Sequence, residues 1–470
     1  MTNEEKQRKI RELKEQRRRI LQRKRRIRKI QIAIIMTAFV MVVVGVLWGA
    51  VKLTKKVIGP KKTDYSIKIE KPEMISRTDF KIEAPKREVT LTVVGDVMMH
   101  SWQIQRSYDP ATDSFDVSDS FTYVEKYLSH ADYTIANLET TLPGRYNGSI
   151  NDVLGYSDYP MFSSPEILAN NLKDAGVDFL QTANNHSLDS WEDGVYATID
   201  YLDSIGIPHT GTFKSQEEND KLCIVEINGI TFGFVAYTYG TNGLPVPSEH
   251  PYCINTLDNY DDAKLEEMYS KVRALDAAGV DFVCPLIHFG TEYTEVPDSW
   301  QEMVVDGLFE AGADVIFGGH PHVVEPIDVR TITNPDGTTR TGWVVYSFGN
   351  FVSSQRYDGV NKDLGMITDF TFTKEFVDGQ TINTVTQVKV EPTYVYWTDS
   401  TIGVIPVLEA YNHKSDYSFL SDGDWNRIDY AKDHVIEVVT AKGSLDYSVD
   451  GDMFVVTPKV PGAEEPVENQ

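Results

Sequence analysis

Six side chains that can bind a metal ion lie at the ends of separate apolar segments of this sequence. They are Asp96, Glu139, Asn185, His288, His320 and His322. Each apolar segment is predicted to form a buried strand, and a turn that carries one or two of these groups follows it. Carboxylate, amide and imidazole groups together suit hard to borderline divalent cations. The pattern therefore predicts one or two divalent ions, and Mn, Fe, Zn and Mg are all compatible with it.

Taken singly, these motifs differ in how strongly they indicate a site. Gly-Asp at 95–96 is also a common turn sequence, and Glu139 alone also fits a surface or helix-capping carboxylate. A lone His288 also fits a core histidine that is satisfied by hydrogen bonds. Asn-Asn-His at 184–186 fits either a ligand beside an acid or a loop stabilised by Asx side chains. The Gly-Gly-His-Pro-His sequence at 318–322 is the strongest local signal, and the joint occurrence of all the motifs at strand ends favours one shared site.

The segments that carry these groups alternate between helix and strand patterns. SPEILANNLKDAGVDFLQTANNH, KLEEMYSKVRALDAAGVDFVCPLIHFG and SWQEMVVDGLFEAGADVIFGGHPH each show a helix, a glycine near its end, a strand and then the site residues. Repeated units of this kind predict a sheet with parallel strands and helices on its faces. Ligands of such sheets bind beyond the carboxyl ends of the strands, and all six groups are predicted to lie at that edge.

Other segments favour antiparallel structure. CIVEINGITFGFVAYTY predicts a hairpin turned at Asn228-Gly229, and strands with turns dominate from about Thr331 onward. Residues 399–455 are predicted to be a small C-terminal extension with one helix in WNRIDYAKDHVIEVVTAKG. Residues 456–470 are predicted to be a disordered tail.

The N-terminal residues are strongly basic although the chain as a whole is acidic. The formal net charge is −25 over 470 residues. Residues 1–29 contain fourteen Lys or Arg and four Glu, which gives +10 and leaves −35 for the remaining residues. The 22 residues from Ile30 to Val51 carry no charge, and about 20 apolar residues suffice to cross a bilayer as a helix. We therefore predict a basic cytoplasmic arm at 1–29 and a transmembrane helix at 30–53, because positive residues favour the cytoplasmic side.

This topology predicts a cell-membrane protein that spans once and has its main domain outside the cell. Residues 54–87, rich in Lys, Pro and Glu, are predicted to be a linker. A cleaved signal peptide is the alternative for the apolar segment, which is longer than the usual apolar region of such peptides. A basic arm also occurs in nucleic-acid-binding proteins, but beside a membrane span anionic lipid explains it, so no nucleic-acid partner is predicted. Three widely spaced cysteines argue against a disulfide framework.

The motifs, taken in order, resemble those of a known family. VVGDVMMH, ANLETTL, TANNHSLD, IHFGTEY, GGHPHVVEP and YSFGNFV are similar to blocks of the capsule-synthesis CapA family, which belongs with the calcineurin-like metallophosphoesterases. The resemblance covers about residues 89–355, with weaker support to about 398. It implies an α/β fold, a metallophosphoesterase-like αββα sandwich at 88–398, preceded by the one transmembrane helix. The N-terminal anchor resembles that of membrane-bound members linked to poly-γ-glutamate export and capsule formation.

The resemblance also implies roles for individual residues. Asp96 and His322 correspond to ligands of a first metal ion, and Glu139 corresponds to the carboxylate that bridges two ions. The second ion would be held by Asn185, His288 and His320. His186 corresponds to the general acid, with Asp189 as the residue that orients it. Candidate substrate contacts are His100, Asn184, Glu292, Tyr293 and Asn350.

One position departs from the phosphoesterase pattern, whose first motif is Asp-x-His. Met98 stands where the histidine is expected, so the first metal loses a ligand unless His100 replaces it by a turn that curls back. Arg145 and Arg356 are either contacts for an anionic substrate or solvated loop residues.

Three functions are compatible with these features. The leading hypothesis is a membrane-anchored extracellular metal-dependent hydrolase that acts on a cell-surface polymer, either poly-γ-glutamate or a phosphate-containing glycan. The alternatives are a non-catalytic, polymer-binding component of a membrane capsule-synthesis complex and a nucleotidase-like phosphoesterase. The charge of −35 outside the basic arm repels polyanions at long range. An anionic polymer therefore requires local cationic contacts or bound metal.

Overall fold

A computed structural model describes residues 85–145, 152–334 and 336–459. The predicted basic arm, the predicted transmembrane helix at 30–53, the predicted linker up to residue 84 and residues 460–470 of the predicted tail lie outside the described residues. Within these described ranges, no helix is long and apolar enough to cross a membrane.

The strands and helices of the described residues have the following bounds. The strands are β1 (Arg87–Val97), β2 (Tyr108–Asp109), β3 (Ser114–Phe115), β4 (Tyr133–Leu138), β5 (Asp152–Val153), β6 (Tyr156–Ser157), β7 (Phe179–Gln181), β8 (His209–Thr210), β9 (Cys223–Ile227), β10 (Ile230–Thr238), β11 (Phe282–His288), β12 (Val315–Gly319), β13 (Ile327–Thr333), β14 (Thr339–Val345), β15 (Asn350–Val352), β16 (Leu364–Val377), β17 (Gln380–Trp397), β18 (Ile402–Pro406), β19 (Leu445–Asp450) and β20 (Met453–Pro458). The helices are α1 (Ser101–Arg106), α2 (Glu125–Ser129), α3 (Ile167–Asp174), α4 (Trp191–Ile205), α5 (Gln216–Asp220), α6 (Asp262–Ala277), α7 (Ser299–Ala311), α8 (Val407–Asn412) and α9 (Asp422–Val439).

The strands form two large mixed sheets. The first has the order β19-β20-β17-β16-β1-β4-β7-β8, with β15 beside β1 and β18 beside β17. Strands β1, β4, β7 and β8 run parallel, whereas β16 and β17 are antiparallel to their neighbours. The second sheet has the order β13-β14-β12-β11-β10-β9. Its β10, β11, β12 and β14 are parallel, and its antiparallel edge strands are β9 and β13.

Aromatic side chains of the two sheets pack against each other. Phe372 of β16 lies 5.0 Å from Phe232 of β10 and 4.7 Å from Phe282 of β11, measured between ring centroids. Phe370 of β16 lies 5.3 Å from Phe317 of β12. All five rings belong to one buried cluster that also contains the inward face of β1. Burial of apolar surface between the sheets therefore holds the two sheets together.

Helices cover the outer face of each sheet. Val94 and Val97, on the other face of β1, are buried in a cluster with Leu168 and Leu172 of α3. In the second sheet, residues of β10 and β11 are buried in a cluster with residues of α6 and α7. The order of layers is therefore helix, sheet, sheet, helix, as expected for the predicted sandwich.

Local sequence signals account for several element boundaries. Strands β9 and β10 form an antiparallel hairpin with Asn228 and Gly229 at the turn, as predicted, and both residues have positive φ. Helix α7 begins with a capping box in which the Asp298 side chain accepts from the backbone of Gln301, while the Gln301 side chain accepts from the backbone of Asp298. A left-handed Gly312 then ends α7.

The C-terminal region differs from the prediction. Residues 399–455 are not a separate extension, because β18 pairs with β17 along Thr393–Trp397, and β20 pairs with β17 along Val388–Val390. Buried residues of α9 belong to the cluster between the sheets. The predicted tail is also too long at its start, because β20 continues to Pro458 and buries Val456. At the other end, β1 already begins at Arg87, inside the predicted linker.

Candidate metal centre

The first sheet contributes three of the six predicted metal ligands. Asp96 is the penultimate residue of β1, and Glu139 follows directly after β4. Asn185 lies in the turn that follows β7. All three side chains are fully buried, with 0% exposure. Because these strands are parallel, their carboxyl ends bring the three side chains to one edge of the sheet.

The second sheet contributes the three histidines. His288 is the last residue of β11, and His320 and His322 lie just beyond the end of β12. These side chains are at most 3% exposed. The carboxyl ends of both sheets therefore meet at one buried cluster, and the six predicted residues come from both halves of the sandwich.

The carboxylates and imidazoles fall into two groups that share one residue. Ligand atoms of Glu139, His288 and His320 lie within 4.8 Å of one another, as do those of Asp96, Glu139 and His322. His322 Nδ1 is 3.2 Å from Asp96 Oδ2, and His288 Nε2 is 3.4 Å from Glu139 Oε1. Glu139 thus belongs to both groups.

Asn185 lies beside the group that contains His288. Its Oδ1 is 2.8 Å from His288 Nε2, and its Nδ2 donates to Oδ1 of Asn242 at 3.2 Å. This second hydrogen bond turns the amide oxygen toward the histidines. The structure therefore brings together the three residues to which the resemblance assigns the second ion.

The site contains buried oxygen and nitrogen atoms that suit a divalent cation. Oε1 and Oε2 of Glu139 and Nδ1 of His320 are buried, and none of them has a hydrogen-bond partner among the residues that the structure describes. A buried polar atom without a partner costs about 1–3 kcal/mol. Oxygen and imidazole nitrogen are ligands that borderline divalent cations accept. The buried groups are therefore compatible with divalent metal binding.

The turn that presents His320 and His322 has an unusual backbone. Both histidines have positive φ, 102° and 59° respectively, a conformation that costs of order 1–3 kcal/mol for residues other than glycine. Gly318, just before this turn, has no room for a side chain, because a Cβ there would lie 2.1 Å from the carbonyl oxygen of Tyr346. Strain of this kind persists where the surrounding packing fixes it, as at ligand-binding turns.

His186 and Asp189 form a second unit beside the cluster. His186 Nδ1 is 2.6 Å from Asp189 Oδ2, and His186 Nε2 is 4.0 Å from Glu139 Oε1. The His186 ring packs edge-on against Phe162, with centroids 4.7 Å apart. Asp189 thus fixes the orientation of the imidazole, and the other ring nitrogen is on the side of the metal-binding groups.

Burial and the neighbouring charges shift the ionisation of these residues. Burial opposes the charged form of Asp96, but the hydrogen bond from His322 and nearby imidazoles lower its pKa. Burial lowers the pKa of His320 well below its usual range. At His322 burial is outweighed by Glu139 and Asp96, which raise the pKa to about 9. Burial also disfavours charged His186, but Asp189 raises its pKa overall.

Asn137, which is not among the residues predicted from the sequence, connects the two sheets at the site. Asn137 lies opposite Asp96 in the β1–β4 ladder and donates from Nδ2 to Asp96 Oδ1 at 2.7 Å. The same amide nitrogen is 3.3 Å from His288 Nδ1. An asparagine near the end of the apolar segment YTIANL is the signal that indicates such a role, because buried amides require partners.

Two of the predicted substrate contacts are buried beneath the site. Asn184 is fully buried and donates to Leu138 O at 2.8 Å, while its Oδ1 accepts from the backbone N–H of His186. Asn350 is fully buried as well, and its Oδ1 lies 3.1 Å from His322 Nδ1. Asn184 thus bonds to the backbone of His186 and Asn350 lies against the ring of His322, and a substrate contact by either residue stays a prediction.

The other predicted contacts lie at the rim. Tyr293 is 41% exposed, with its ring 6.0 Å from that of His322, and Glu292 beside it is exposed. His100 accepts at Nδ1 from the backbone of Ser354 and packs on Phe162, with ring centroids 4.9 Å apart. Burial lowers the pKa of His100 to about 4.

A buried methionine, Met98, occupies the position that departs from the phosphoesterase pattern. Met98 is 1% exposed, so an apolar side chain is buried where that pattern has a metal-binding histidine. His100 is not a member of either group of candidate ligands in the described part of the chain. Among the described histidines, cysteines and carboxylates, the first group therefore consists of Asp96, Glu139 and His322 alone.

These features agree with what the sequence shares with known proteins. The profile of the bacterial capsule synthesis protein PGA_cap family matches residues 90–355, which include every candidate ligand, and the chain belongs to this family. It is 28% identical over 290 residues to the capsule biosynthesis protein CapA of Bacillus anthracis, covering 60% of this chain and 64% of that protein. It is 26% identical over 283 residues to the PGA biosynthesis protein CapA of Bacillus subtilis strain 168, covering 58% of this chain and 67% of that protein.

Two solved structures match the chain at low sequence identity and low TM-score. A novel phosphatase from Mycoplasma pneumoniae is 14% identical with a TM-score of 0.32, covering 64% of this chain and 95% of that one. The protein TT1561 of Thermus thermophilus is 7% identical with a TM-score of 0.33, covering 64% of this chain and 99% of that one.

Proposed function

We propose that this protein is a membrane-anchored, extracellular metal-dependent hydrolase that acts on a cell-surface polymer during capsule or poly-γ-glutamate synthesis. The capsule role is supported by membership of the PGA_cap family and by the two CapA relatives. The hydrolase role rests on one observation above all. Glu139 is a fully buried carboxylate that belongs to two ligand groups, and neither of its oxygens has a hydrogen-bond partner in the described residues.

The residues that would hold the ions follow from the two groups. Asp96, Glu139 and His322 would hold one ion, and Glu139 with His288 and His320 would hold a second, with Asn185 beside them. Bound divalent ions supply Lewis-acid charge to an anionic group and lower the pKa of water. Asn137 and Asn350 keep Asp96 and His322 oriented through hydrogen bonds to them.

His186 is suited to donate a proton to a leaving group. Asp189 holds its Nδ1 and favours the protonated imidazole, so Nε2 carries a proton toward the buried cluster. Phe162 packs against the ring and limits the access of water on that side. In this scheme His186 acts on the substrate and does not bind metal.

The proposed location of the protein follows from its N-terminal residues. The apolar segment at 30–53, behind the basic arm, would anchor the chain with its main domain outside the cell. The partners would be the membrane, a polyanionic surface polymer and a membrane capsule-synthesis complex, with no nucleic acid.

Metal content of the full-length protein is the decisive measurement. After equilibration with Mn²⁺ or Zn²⁺ and gel filtration, we expect about one to two ions per chain, and fewer in Glu139→Gln and His320→Ala. His186→Ala should keep its metal but lose hydrolysis of an aryl phosphate or of γ-linked oligoglutamate. His413→Ala, at an exposed histidine in a different part of the chain, is the matched control. The hydrolase proposal fails if the wild type binds no divalent metal, or if His186→Ala and His320→Ala keep full activity.

A second function is favoured by Met98. Because an apolar side chain is buried at that position, the site would hold polymer or a single metal ion without turnover, as a component of an export complex. Capsule assembly in cells distinguishes the two functions. Assembly that survives Asp96→Ala but not deletion of residues 1–53 would support the non-catalytic component.

A further inference from the structure

Two arginines and two tryptophans form a surface cluster beside the metal centre. This arginine–tryptophan cluster consists of Trp102, Arg106, Arg356 and Trp397. The guanidinium carbon of Arg356 lies 3.6 Å from the centroid of the Trp397 ring, and that of Arg106 lies 5.4 Å from the same ring. Arg106 is also 5.0 Å from the ring of Trp102, which is 55% exposed. Two positive charges are thus held at one indole ring.

No carboxylate of the described residues neutralises either cationic group of the cluster. Among the described residues, Arg106 and Arg356 have no carboxylate within salt-bridge distance, although the chain carries a net charge of −25. Five of the other six arginines in the described ranges do have such a partner; these are Arg145, Arg273, Arg330, Arg340 and Arg427. Like charges at one ring repel each other, and an anion between or beside them would remove this cost.

The cluster also has hydrogen-bonding capacity that the protein does not use. Arg106 donates from Nε to Asp399 O at 3.1 Å, but its Nη1 is buried and has no partner in the described part of the chain. A guanidinium that lies over an indole face keeps its N–H groups free in its own plane, where they bind carboxylates in a bidentate manner. Arg356 is exposed, so its N–H groups are open to a ligand.

A short series of contacts links the cluster to the metal centre. Trp102 and Arg106 lie on α1, which begins directly after His100. Ser354, two residues before Arg356, donates its backbone N–H to His100 Nδ1 at 3.3 Å. The ring of His100 packs on Phe162, and Phe162 packs on His186. The segments that carry the two arginines are therefore connected to His186 through His100 and Phe162.

We propose that the arginine–tryptophan cluster is a subsite that binds carboxylate groups of an acidic polymer, next to the segment that lies at the metal centre. This proposal rests on the proposed function, and it specifies how an acidic protein attracts a polyanion. The two guanidinium groups bind carboxylates, and the exposed ring of Trp102 contacts the methylene groups between them. Arg145, the other candidate arginine of the sequence, is paired with Asp113 at 2.6 Å and is not part of the subsite.

Binding of γ-linked decaglutamate to the full-length protein tests the subsite. Tryptophan fluorescence reports the titration, because two tryptophans belong to the cluster, and EDTA keeps the measurement independent of metal. Arg356→Gln should raise Kd about tenfold or more, since it removes charge-assisted hydrogen bonds to the carboxylates of the polymer. Arg356→Lys should recover only part of the affinity, because the bidentate geometry is lost. Arg106→Gln should weaken binding in the same direction.

Two controls separate local from general charge effects. Arg273→Gln removes one positive charge from the surface of α6, where Arg273 pairs with Glu266, and should leave Kd within about twofold of the wild type. A γ-linked decaglutamine probe carries no side-chain carboxylates and should bind at least about tenfold more weakly.

The subsite proposal is overturned if the wild type does not bind decaglutamate. It is equally overturned if Arg356→Gln binds like Arg273→Gln, or if an oligomeric glycerol phosphate binds in its place. The results that refute the subsite proposal differ from those that refute the hydrolase proposal. Arginine-dependent binding without any metal-dependent hydrolysis by the wild type refutes only the hydrolase. Hydrolysis of an aryl phosphate together with polymer binding that is insensitive to Arg356 refutes only the subsite.

Discussion

His434 Nε2 lies 2.9 Å from Glu295 Oε1, and this contact joins helix α9 to a loop beside the metal centre. Tyr293, two residues before Glu295, donates its backbone N–H at 2.8 Å to the carbonyl oxygen of Pro321, which lies between His320 and His322. Helix α9 lies outside residues 90–355, which match the family profile. A helix beyond the shared region thus supports the turn that presents two candidate metal ligands.

The same helix holds a second loop at the site. Arg427 donates two hydrogen bonds to the carboxylate of Asp363, at 2.8 and 2.6 Å, and a third to Asn361 Oδ1 at 2.7 Å. Asn350 connects this loop to His322, because its Nδ2 donates to Lys362 O at 2.8 Å. The order of the loop at 353–363 therefore depends on α9.

We expect Arg427→Ala to destabilise the protein by about 3 kcal/mol, because it leaves the carboxylate of Asp363 buried without its partner. The side chains of Arg427 and Asp363 are 13% and 7% exposed, so water replaces the lost bonds poorly. Urea unfolding measures the loss, and hydrogen exchange should rise in residues 353–363. Lys432→Ala, which removes an exposed pair on the same helix, should change stability by no more than about 0.5 kcal/mol. Equal effects of the two substitutions would contradict this role of Arg427.

Gly95 permits the close approach of two chain segments at the site. A Cβ at this position would lie 1.9 Å from the carbonyl oxygen of Gly349, which accepts the N–H of Asp96 at 3.0 Å. Gly95→Ala should therefore destabilise the fold by several kcal/mol and displace Asp96, because a backbone atom has to move. Gly423→Ala, on α9, meets only Ser421 Oγ at 3.6 Å and should be neutral or stabilising. Thermal melts of the two variants check the contrast, and a Gly95→Ala protein as stable as Gly423→Ala would refute it.

Much of the site could be predicted because it is built from strand ends. Hydrophobic periodicity locates buried strands, and the side chains that follow parallel strands meet at one edge. Asp96, Glu139 and His288 lie within one residue of the end of their strands. The sequence could not show that these ends belong to two different sheets, because strand pairing depends on contacts between distant segments. Asn137 was missed for the same reason, since its role depends on the register of β4 with β1.

The C-terminal region could not be predicted in the same way. In β20 partly buried residues alternate with the buried Phe454 and Val456, but this pattern does not reveal the partner of the strand. The partner is β17, a strand of 18 residues that extends the first sheet and pairs with both β18 and β20. A pattern of alternating burial predicts that a strand forms. Whether that strand belongs to the same domain depends on long-range contacts, such as the packing of α9 into the core between the sheets.

Truncation after residue 398 tests whether the C-terminal region is an integral part of the domain. Removal of β18, α9 and β20 exposes the buried faces of β16 and β17, so we expect insoluble protein or loss of cooperative unfolding. Truncation after residue 459 keeps every described element and should leave solubility and the melting temperature unchanged. A soluble 1–398 chain with a sharp melt would show that the domain ends where the sequence predicted.

Glu325, a buried carboxyl three residues after His322, should make stability depend on pH. Burial raises the pKa of its carboxyl from 4.5 to about 8, and only Gln301 donates to the side chain, at 2.6 Å, among the described residues. Between these two pH values the folded protein retains a proton that the unfolded chain releases. Its contribution to stability is therefore fully present below about pH 4.5 and is lost as the pH rises through 8.

Glu325→Gln should remove this titration, because the amide stays neutral at every pH. In urea unfolding at pH 5, 6.5 and 8 with EDTA, we expect the wild type to lose about 3 kcal/mol more than Glu325→Gln between the lowest and highest pH. Glu437→Gln, at an exposed glutamate of α9, should follow the wild type. If Glu325→Gln and the wild type lose stability in parallel across this range, then the carboxyl of Glu325 is not protonated in the folded protein.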